Sequence, residues 1–368
     1  MASVKESTAV QGNDRGSVCF PERQLRGAVA RLFRAVGVPQ AAAERVSDSL
    51  VDADLSGIPS HGVMLVPLYL DRLRAGSVSV AEAAEVIDDT GSTLVLDAHH
   101  ILGQLSSHQA VDLLGWRTPV HGMASVAVRN AFHFGAAGYW TRQLASRGLI
   151  GVALSNTRPL MPAPGGAERV VGNNPLSIAV PSEEGIPIVL DMAMSASAMG
   201  KIRLAAESGQ MLPAGWAADA AGKPTTDPSA AIAGMLLPTG GAKGFGLAFL
   251  VDLLCGGLSS GALGAQVQPL YGDSATPYGC AHFFLAIDVQ RFLPLADFAH
   301  RASEYAQEVR ASRRAPGTAQ LFTPGERTWS MRQQRGGACP VAVHTQDHLR
   351  QVADDLGLDG RTLFQPMS

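Results

Sequence analysis

The chain has 368 residues, of which 46% are apolar and 17% charged, with a formal net charge of −3 at pH 7. This composition predicts a sizeable core divided over two or three domains, and it excludes intrinsic disorder over most of the length. Because 29 Lys and Arg residues are balanced by 32 Asp and Glu residues, no overall basic field exists to hold phosphate backbones. Nucleic acid is therefore not an expected partner.

The cysteines and the most apolar segments indicate where the protein works. Cys19, Cys255, Cys280 and Cys339 are scattered and form no C-x-x-C pair, which predicts a reducing compartment. Residues 1–19 contain no apolar core of a secretory signal and are predicted to be a flexible extension. The apolar stretch at 244–258 is interrupted and too short to span a bilayer. We therefore expect a cytoplasmic protein with no membrane partner.

The spacing of apolar residues changes along the chain. From residue 21 to about residue 74 it is helical, which predicts three helices, with the segment DLSGIPSHG as the second break. From about residue 85 to residue 288, short β-branched runs alternate with Gly/Pro turns and helical stretches, which predicts an α/β region. The sequence does not determine the order of its strands. The predicted strands are 93–96, 124–128, 150–154, 178–180 and 186–190, and the predicted helices of this region are 103–115, 138–146 and 242–255.

Two long stretches, 212–229 and 262–280, are poor in apolar residues and predict functional or disordered loops. Further helices are predicted at 297–311 and 346–356, separated by a basic connection at 313–337. No G-x-G-x-x-G follows a predicted strand, and SASAMGKI at 195–202 lacks the first glycine and the hydroxyl of a P-loop. A dinucleotide would therefore need another fold. No histidine and carboxylate pattern predicts a metal site.

Three histidines are candidates for chemistry. His61, in Pro59-Ser60-His61-Gly62, is placed at the start of a predicted helix, whose positive end favours the neutral imidazole. It could donate a proton to a carbonyl with help from the Ser60 hydroxyl, or the segment could simply be a helix cap. His133 lies between a predicted strand and a glycine-rich helix start. It could contact a ligand there, or it could make a structural hydrogen bond. His282, which is predicted to precede a strand, is a weaker candidate.

Three polar runs of small residues complete the set. Ser155-Asn156-Thr157 is followed by Pro-Gly-Gly at 164–166 and by GNNP at 172–175; Asp191-Met192-Ala193 ends a predicted strand; and Thr-Gly-Gly-Ala-Lys-Gly at 239–244 opens a helix. The helix start with its lysine can cradle a phosphate. Each run alone is also explained by turn chemistry, whereas together they predict a long polar cleft for an elongated anionic ligand.

These segments resemble the malate/L-lactate dehydrogenase family of the non-Rossmann type, which includes ureidoglycolate and sulfolactate dehydrogenases, diketogulonate reductase and the piperideine and pyrroline carboxylate reductases. The resemblance runs in family order from about residue 20 to the C-terminus. The matching motifs are D-x-x-G-x-x-SHG at 54–62, VRNAFHFGAAGYW at 128–140, LSNT, PGG, GNNP, LDMAMSASAMGKI at 190–202, LLPTGGAKGFGLAFLVDLL, and PGE at 324–326.

The resemblance implies an α/β, non-Rossmann NAD(P)-binding fold. It would comprise a helical domain built from both chain ends, at 20–90 and 291–368, and two α/β domains at 91–290, with the active site in the cleft between domains. It also implies a homodimer and either NAD or NADP as the cofactor. The implied reaction is NAD(P)H-dependent reduction of a 2-oxo acid or a cyclic imine acid, and the reverse oxidation of a 2-hydroxy acid.

The resemblance also implies a role for individual residues. His61 would be the general acid and base, with Ser60 and Asp191 supporting proton transfer, and Leu65, Tyr69 and Asn174 would border the substrate. The implied cofactor contacts are His133, Ser155, Asn156, Thr157, Asp191, Met192, Ala193, Lys243, Gly244, His282, Phe283 and Phe284.

One departure from the family pattern matters. Many members have an arginine four residues after the SHG histidine to hold the substrate carboxylate, and here that position is Leu65. The change removes a charge-assisted pair of roughly 1.5–3 kcal/mol, which predicts an atypical substrate that is less carboxylate-dependent or more apolar. Arg72, Arg129 and Arg158 are candidate replacements, although each is otherwise expected at the surface. In addition, Pro59 stands where an aspartate is frequent.

Two alternatives to the 2-oxo acid reductase stay open. The first is a cyclic imine reductase of the same family, in which a C=N bond replaces C=O. The second is a non-catalytic relative that keeps the fold and acts as a binding protein, an idea to which Leu65 lends weight. The presence of His61, Ser60, Asp191 and Lys243 favours an enzyme.

Overall fold

The computed structural model describes residues 16–183, 185 and 188–367, and these residues divide into two compact units. The first unit contains the described residues up to Pro67 and those from Ser330 onward. The second unit is Leu68–Trp329. No helix in the described part of the chain combines the length and apolar character that a membrane span requires.

The described chain contains twelve strands and twelve α-helices. The strands are β1 (Ser17–Pro21), β2 (Glu85–Asp89), β3 (Thr93–Asp97), β4 (Met123–Ala131), β5 (Leu149–Ser155), β6 (Leu176–Val180), β7 (Ile188–Met192), β8 (Ala217–Ala218), β9 (Pro224–Thr225), β10 (Met235–Leu236), β11 (Cys280–Asp288) and β12 (Ala338–Ala342). The α-helices are α1 (Glu22–Ala35), α2 (Gln40–Leu55), α3 (Val66–Ala75), α4 (Gly103–His121), α5 (Ala137–Ala145), α6 (Met199–Glu207), α7 (Pro228–Ala233), α8 (Ala242–Asp252), α9 (Leu295–Ala311), α10 (Glu326–Arg335), α11 (Val343–Asp355) and α12 (Gly360–Leu363).

The first unit is mainly helical and joins both ends of the chain. Strand β1 pairs antiparallel with β12, so that Phe20 lies opposite Cys339. The predicted helical spacing is confirmed in α1, which buries Leu25, Val29, Leu32 and Phe33. Part of the predicted flexible extension is therefore wrong, because residues 17–19 belong to β1. The extension's residues 1–15 lie outside the described residues.

The second unit is built around a mixed sheet. In the described chain its strand order is β2-β3-β4-β11-β5-β6-β7, and each neighbouring pair is antiparallel except β3 and β4. The parallel pair is connected through α4, as a parallel crossover requires. A smaller antiparallel sheet has the order β10-β8-β9. The predicted strands 93–96, 124–128, 150–154 and 178–180 are confirmed, and residues 188–190 of the fifth predicted strand lie in β7.

Several predicted boundaries are wrong for identifiable reasons. His282 lies inside β11 rather than before a strand, because β11, the central strand of the large sheet, already begins at Cys280. The predicted loop at 212–229 contains β8 and β9, whose short, glycine-flanked runs give no clear strand pattern. The predicted connection at 313–337 contains α10. Residues 186–187 of the fifth predicted strand lie outside the described residues.

The other predicted loop, at 262–280, is held by a buried arginine. Arg72 on α3 is 0% exposed, and its guanidinium donates hydrogen bonds of 2.8–3.2 Å to the carbonyl oxygens of Pro269, Leu270 and Thr276. The guanidinium carbon also lies 6.0 Å from the centre of the Phe132 ring. The expectation that Arg72 lies at the surface is therefore wrong, and its charge is already committed to backbone acceptors.

Candidate active site

The SHG motif of the first unit forms a turn that is fixed from α2. Residues Pro59–His61 and Val63–Leu65 make two successive 3-10 turns, with the extended Gly62 between them. The Asp54 carboxyl group, 4% exposed, accepts a hydrogen bond of 2.7 Å from the Val63 N–H. A Cβ atom on Gly62 would overlap that carboxyl group, so only glycine allows the close approach.

Two arginines of α10 stabilise the end of α2 that carries Asp54. Arg335 donates to the carbonyl oxygens of Asp54 and Leu55, and Arg332 pairs with Asp52. Cations at a helix C-terminus offset its partial negative charge and its unpaired carbonyl groups. Burial raises the pKa of Asp54 to about 8, while the Val63 hydrogen bond and Arg335 oppose that rise. The D-x-x-G-x-x-SHG spacing thus places Asp54 where it can stabilise the turn. The sequence alone identified this motif but did not predict the role of Asp54.

His61 is a half-buried, neutral imidazole on this turn. Its Nδ1 atom lies 3.0 Å from the Ser60 hydroxyl oxygen. Burial lowers the pKa of His61 to about 4, so the ring carries no charge near neutral pH. The neutral form was expected, but its cause differs, since His61 ends a 3-10 turn and Ser60 caps no helix. A neutral imidazole can accept a proton from an alcohol.

The position of the missing arginine offers no surface to a ligand. Leu65 ends the second 3-10 turn and is 1% exposed. An isobutyl side chain suits this apolar setting, whereas a guanidinium there would need buried partners. The site must therefore find any cation for an acid substrate at another position.

In the second unit, a buried tyrosine holds His133. The Tyr69 hydroxyl group lies 2.6 Å from His133 Nδ1, and Gln104 Nε2 donates to the Tyr69 oxygen at 3.4 Å. The Tyr69 and Phe132 rings pack edge to face, with centroids 4.9 Å apart. Burial raises the pKa of Tyr69, so its hydroxyl stays protonated and can donate to the ring. The half-buried His133 is thereby oriented at the end of β4.

Asp191 lies at the end of β7, where it meets the start of α5. Its Oδ2 atom accepts a hydrogen bond of 2.7 Å from the Gly138 N–H. An added Cβ on Gly138 would lie 2.7 Å from the same oxygen, which explains the glycine in this motif. Asp191 is exposed to solvent, yet the surrounding protein raises its pKa by desolvation. Met192 and Ala193 beside it are half-buried.

Two predicted contact residues are structural amides. Asn156, 0% exposed, donates to Asp252 and to the Ala262 carbonyl, both at 2.8 Å, and accepts from the Ala281 N–H at 2.7 Å. Asn174, also 0% exposed, accepts from the Thr157 N–H at 2.9 Å and donates to a carbonyl of α8. Their amide groups are occupied by the protein itself. Ser155 is buried as well, while Thr157 is half-buried.

The segment His282-Phe283-Phe284 packs inside the second unit. His282 and Phe284 are 0% exposed, and the His282 ring stacks on Phe134 with centroids 4.4 Å apart. Burial lowers the pKa of His282 to about 3, which keeps the ring neutral. Phe283 points the other way and packs against the apolar cluster around Leu154. His282 and Phe284 are closed off from solvent, whereas Phe283 is half-buried. The role of the three residues as cofactor contacts stays a prediction.

The three polar runs predicted to form a cleft are joined by backbone hydrogen bonds. The Met194 N–H donates to the Asn173 carbonyl, and the Thr239 N–H donates to the Met194 carbonyl, each at 2.8 Å. Next to this junction lies a cavity of about 520 Å³, formed by two glycine loops and small neighbouring residues. Its lining includes Pro162, Ala163, Pro164, Gly165, Gly166, Ala167, Ala196, Gly240, Gly241 and Ala242.

Polar groups neighbour the residues that line this cavity. The N-terminus of α8 borders it, with the exposed Lys243 in the first turn. Ala196 of the lining is flanked by Ser195 and Ser197, two buried hydroxyl groups that find no hydrogen-bond partner among the described residues. Gly244 is buried, and a Cβ there would overlap the Thr239 carbonyl. In the part of the chain that the structure describes, no His, Cys, Asp and Glu cluster could hold a metal ion.

The comparison with known proteins decides the family. The family model described as malate/L-lactate dehydrogenase matches residues 20–350. The chain belongs to this family. A malate dehydrogenase of Pyrococcus abyssi is 33% identical over 94% of this chain and 97% of the relative. A (2R)-3-sulfolactate dehydrogenase (NADP(+)) of Chromohalobacter salexigens is 36% identical over 89% of this chain and 95% of the relative.

Solved structures of this malate/L-lactate dehydrogenase family have the same fold. The sulfolactate dehydrogenase of Methanocaldococcus jannaschii aligns with a TM-score of 0.88 and 30% identity over 94% of this chain and 99% of its own. The delta1-piperideine-2-carboxylate reductase of Pseudomonas syringae pvar. tomato aligns with a TM-score of 0.82 and 28% identity over 91% and 99%. The α/β, non-Rossmann fold expected from the motifs is therefore confirmed.

The contact of Asp54 with the SHG turn can be tested by substitution. Asp54→Ala removes the acceptor of the buried Val63 N–H, which should cost about 1–3 kcal/mol in the free energy of unfolding. Because His61 loses its placement, we expect dehydrogenase turnover to fall at least about tenfold. Asp54→Asn keeps an acceptor oxygen and should retain most of the activity. Urea unfolding and steady-state kinetics of both variants measure these effects.

Asp52→Ala is the matched control, because it removes a carboxylate of the same helix that pairs with Arg332 and does not touch the turn. It should lower stability with little loss of turnover. Equal turnover in Asp54→Ala and the native protein would contradict the role given to Asp54.

Proposed function

We propose that this chain is a dehydrogenase that interconverts a 2-hydroxy acid and a 2-oxo acid, with His61 as the group that carries the proton. The enzyme class, an NAD(P)-dependent dehydrogenase, follows from membership of the family. The observation that carries the proposal is the desolvated, neutral imidazole of His61 on a turn fixed by Asp54 and Gly62.

The protein groups would act as follows. NAD(P), when bound, accepts or supplies the hydride. In the oxidation, the neutral His61 takes the proton of the 2-hydroxyl group, and the Ser60 hydroxyl at Nδ1 keeps the ring oriented. In the reduction, the protonated ring is a strong acid because its pKa is low, so it gives its proton readily to the developing alkoxide. We assign a supporting role to Asp191, whose pKa is raised by desolvation.

The glycine-lined cavity is the proposed site for the phosphates of the cofactor. Lys243 and the free N–H groups around Gly244 would face the phosphates, and the hydroxyl groups of Ser195 and Ser197 would gain partners. His133, Thr157, Met192 and Ala193 are proposed as the remaining contacts, while the buried Ser155, Asn156 and Asn174 shape the site from behind. One relative is named for NADP(+), so NADP is a candidate cofactor for this chain as well as NAD.

The substrate is proposed to be a 2-oxo acid or its 2-hydroxy counterpart, bordered by Tyr69. Since Leu65 is buried and uncharged, we keep the proposal of an atypical substrate. A cyclic imine acid is the second candidate, favoured by the structural similarity to a delta1-piperideine-2-carboxylate reductase. A reducing, cytoplasmic location is proposed as well, supported by the free thiols of all four cysteines.

Nucleotide binding and turnover test the function. We expect NADH or NADPH to bind in a fluorescence titration, and we expect oxidation of malate or 3-sulfolactate, or reduction of Δ1-piperideine-2-carboxylate. His61→Ala should lower turnover by about a hundredfold or more, with nucleotide affinity little changed. His348→Ala, an exposed histidine of the same unit, is the control. Binding of neither nucleotide would favour a non-catalytic relative and contradict the proposal.

We also propose that the protein is a homodimer, because one helical face is too apolar for water. Leu247, Leu250, Leu254 and Leu258 follow one face of α8 and its continuation, and they are 47%, 55%, 38% and 56% exposed. Contiguous apolar faces of this kind usually mark an interface. A second copy of the chain is the occupant that the family resemblance implies.

Light scattering after size-exclusion chromatography tests the dimer. We expect the native protein to have twice the chain mass, and Leu250→Glu to shift it to the monomer, since a buried carboxylate opposes association. Leu204→Glu, at an exposed leucine of α6, should leave the dimer intact. A native protein that is monomeric at micromolar concentration would exclude this interface.

A further inference from the structure

Left-handed backbone is concentrated at one place in the second unit. His99, His100 and Asn130 have φ angles of 44°, 61° and 49°, and Ser260 is the one other described residue besides glycine with a positive φ. Residues with a Cβ atom adopt this conformation at a cost in free energy, which asparagine tolerates better than most. Such residues cluster at sites where function requires a fixed geometry. The cluster therefore asks for a functional explanation.

Asn130 forms part of a β-bulge in β4. Arg129 and Asn130 lie opposite a single residue of β11, Ala281, because the register of the two strands shifts there. The carbonyl groups of both bulge residues accept hydrogen bonds from the turn that follows β3, at 3.0 and 2.9 Å. An inserted residue moves the residues after it to the other face of the sheet and re-aims the chain. His133 is the third residue after Asn130, so its direction depends on the bulge.

The Asp97 carboxylate at the end of β3 holds this bulge. It is 4% exposed and accepts two hydrogen bonds of 3.0 Å from Asn130 Nδ2, one on each oxygen. Arg129 Nε donates to the same carboxylate at 2.8 Å, and the His99 N–H donates to it at 3.0 Å. Hydrogen bonds to a charged acceptor are strong. They offset the cost of the left-handed backbone at Asn130.

The segment after the bulge is held against α4 and Tyr69. A Cβ atom on Gly103, the first residue of α4, would overlap the carbonyl oxygens of Phe132 and His133, so the two backbones are in contact. His133 Nδ1 lies 2.6 Å from the Tyr69 hydroxyl oxygen. If the bulge were lost, the chain would shift by one residue along β11. Phe132 would then take the place of His133 beside the hydroxyl group.

The bulge also lies at the edge of the sheet where α/β proteins bind their ligands. Strands β3 and β4 are parallel neighbours, and Asp97 and Asn130 stand at their carboxyl ends. In open α/β sheets, ligands bind beyond the carboxyl ends of the parallel strands. His133 follows β4 at this edge, which agrees with its proposed place beside the cofactor.

We propose that Asn130 and Asp97 are positioning residues for His133: the left-handed Asn130, anchored by the Asp97 carboxylate, sets the bulge that places the imidazole at the cofactor. Neither residue needs to touch the cofactor itself. The inference rests on the proposed function, because that proposal makes His133 a cofactor contact. It requires that the backbone conformation at position 130 matters more than the amide group.

Substitutions at position 130 separate the two in the full-length protein. Asn130→Ala loses the anchor and keeps the cost of a positive φ, whereas Asn130→Gly loses the anchor but adopts the conformation freely. We expect Asn130→Ala to weaken NADH or NADPH binding at least about tenfold in a fluorescence titration, and Asn130→Gly to stay within about threefold of the native affinity. The NMR signals of the His133 ring nitrogens, assigned with His133→Gln, should move in Asn130→Ala and stay in place in Asn130→Gly.

Asp97→Asn tests the anchor with position 130 unchanged, and it decides the question if Asn130→Ala does not fold. It removes the charge and one acceptor oxygen, so the His133 signals should move towards those of Asn130→Ala. Adding Asn130→Gly to Asp97→Asn should bring them back. Asp89→Asn is the matched control, because Asp89 on β2 likewise accepts from a backbone N–H and an arginine. It should leave the His133 signals unchanged.

The NMR comparison does not depend on the proposed function. His133 signals that move in Asn130→Ala and return in Asn130→Gly support the inference even if the native protein binds neither nucleotide, which would count against the proposed function alone. Equal displacement in the two variants would assign the effect to the lost amide and overturn the inference. Unmoved signals in Asn130→Ala would overturn it as well, as would native nucleotide affinity in a variant whose His133 signals have moved. Melting temperatures show that each variant is folded.

Discussion

The close contact between the Asp54 carboxyl group and Gly62 is the constraint on which the active-site account depends. The carboxyl group accepts the Val63 N–H, and the absence of a side chain at Gly62 lets the turn lie directly against it. This arrangement fixes the backbone on which His61 is carried. Desolvation then keeps the imidazole neutral, which makes it a proton acceptor near neutral pH. One buried carboxyl group thus connects the fold of the first unit to its proposed chemistry.

In the second unit, buried polar side chains organise the polypeptide around the proposed cofactor and substrate positions. Asn156 and Asn174 join the end of β5 to α8 and β11, and Arg72 holds the loop before β11. Each makes full use of its hydrogen-bonding groups, as burial demands. Among the buried hydroxyl groups of this unit that find no hydrogen-bond partner in the described chain, those of Ser195 and Ser197 flank Ala196 of the glycine-lined cavity. Their position beside a cavity is what a ligand contact would explain.

Local patterns predicted much of the fold because they depend on neighbours in sequence. The helical spacing of α1 and the β-branched runs of β3 to β6 follow from the burial of one face or of both. The role of Asn156 could not be predicted, since its partners Asp252 and Ala281 lie 96 and 125 residues away. The same holds for His282, whose burial follows from the central place of β11, and for Arg72, whose acceptors are about 200 residues distant in sequence. The motif spacing identified His61, but only the contact with Asp54 explains it.

The pH dependence of kcat/KM for oxidation of the preferred 2-hydroxy acid tests the central claim most directly. A desolvated His61, with its pKa lowered to about 4, stays unprotonated and ready to accept a proton as the pH falls from 8 towards 5. We therefore predict a flat profile over that range in the native protein and a low rate at every pH in His61→Ala. A profile that falls tenfold per pH unit below about 6.5, as for a solvated histidine, would contradict the account.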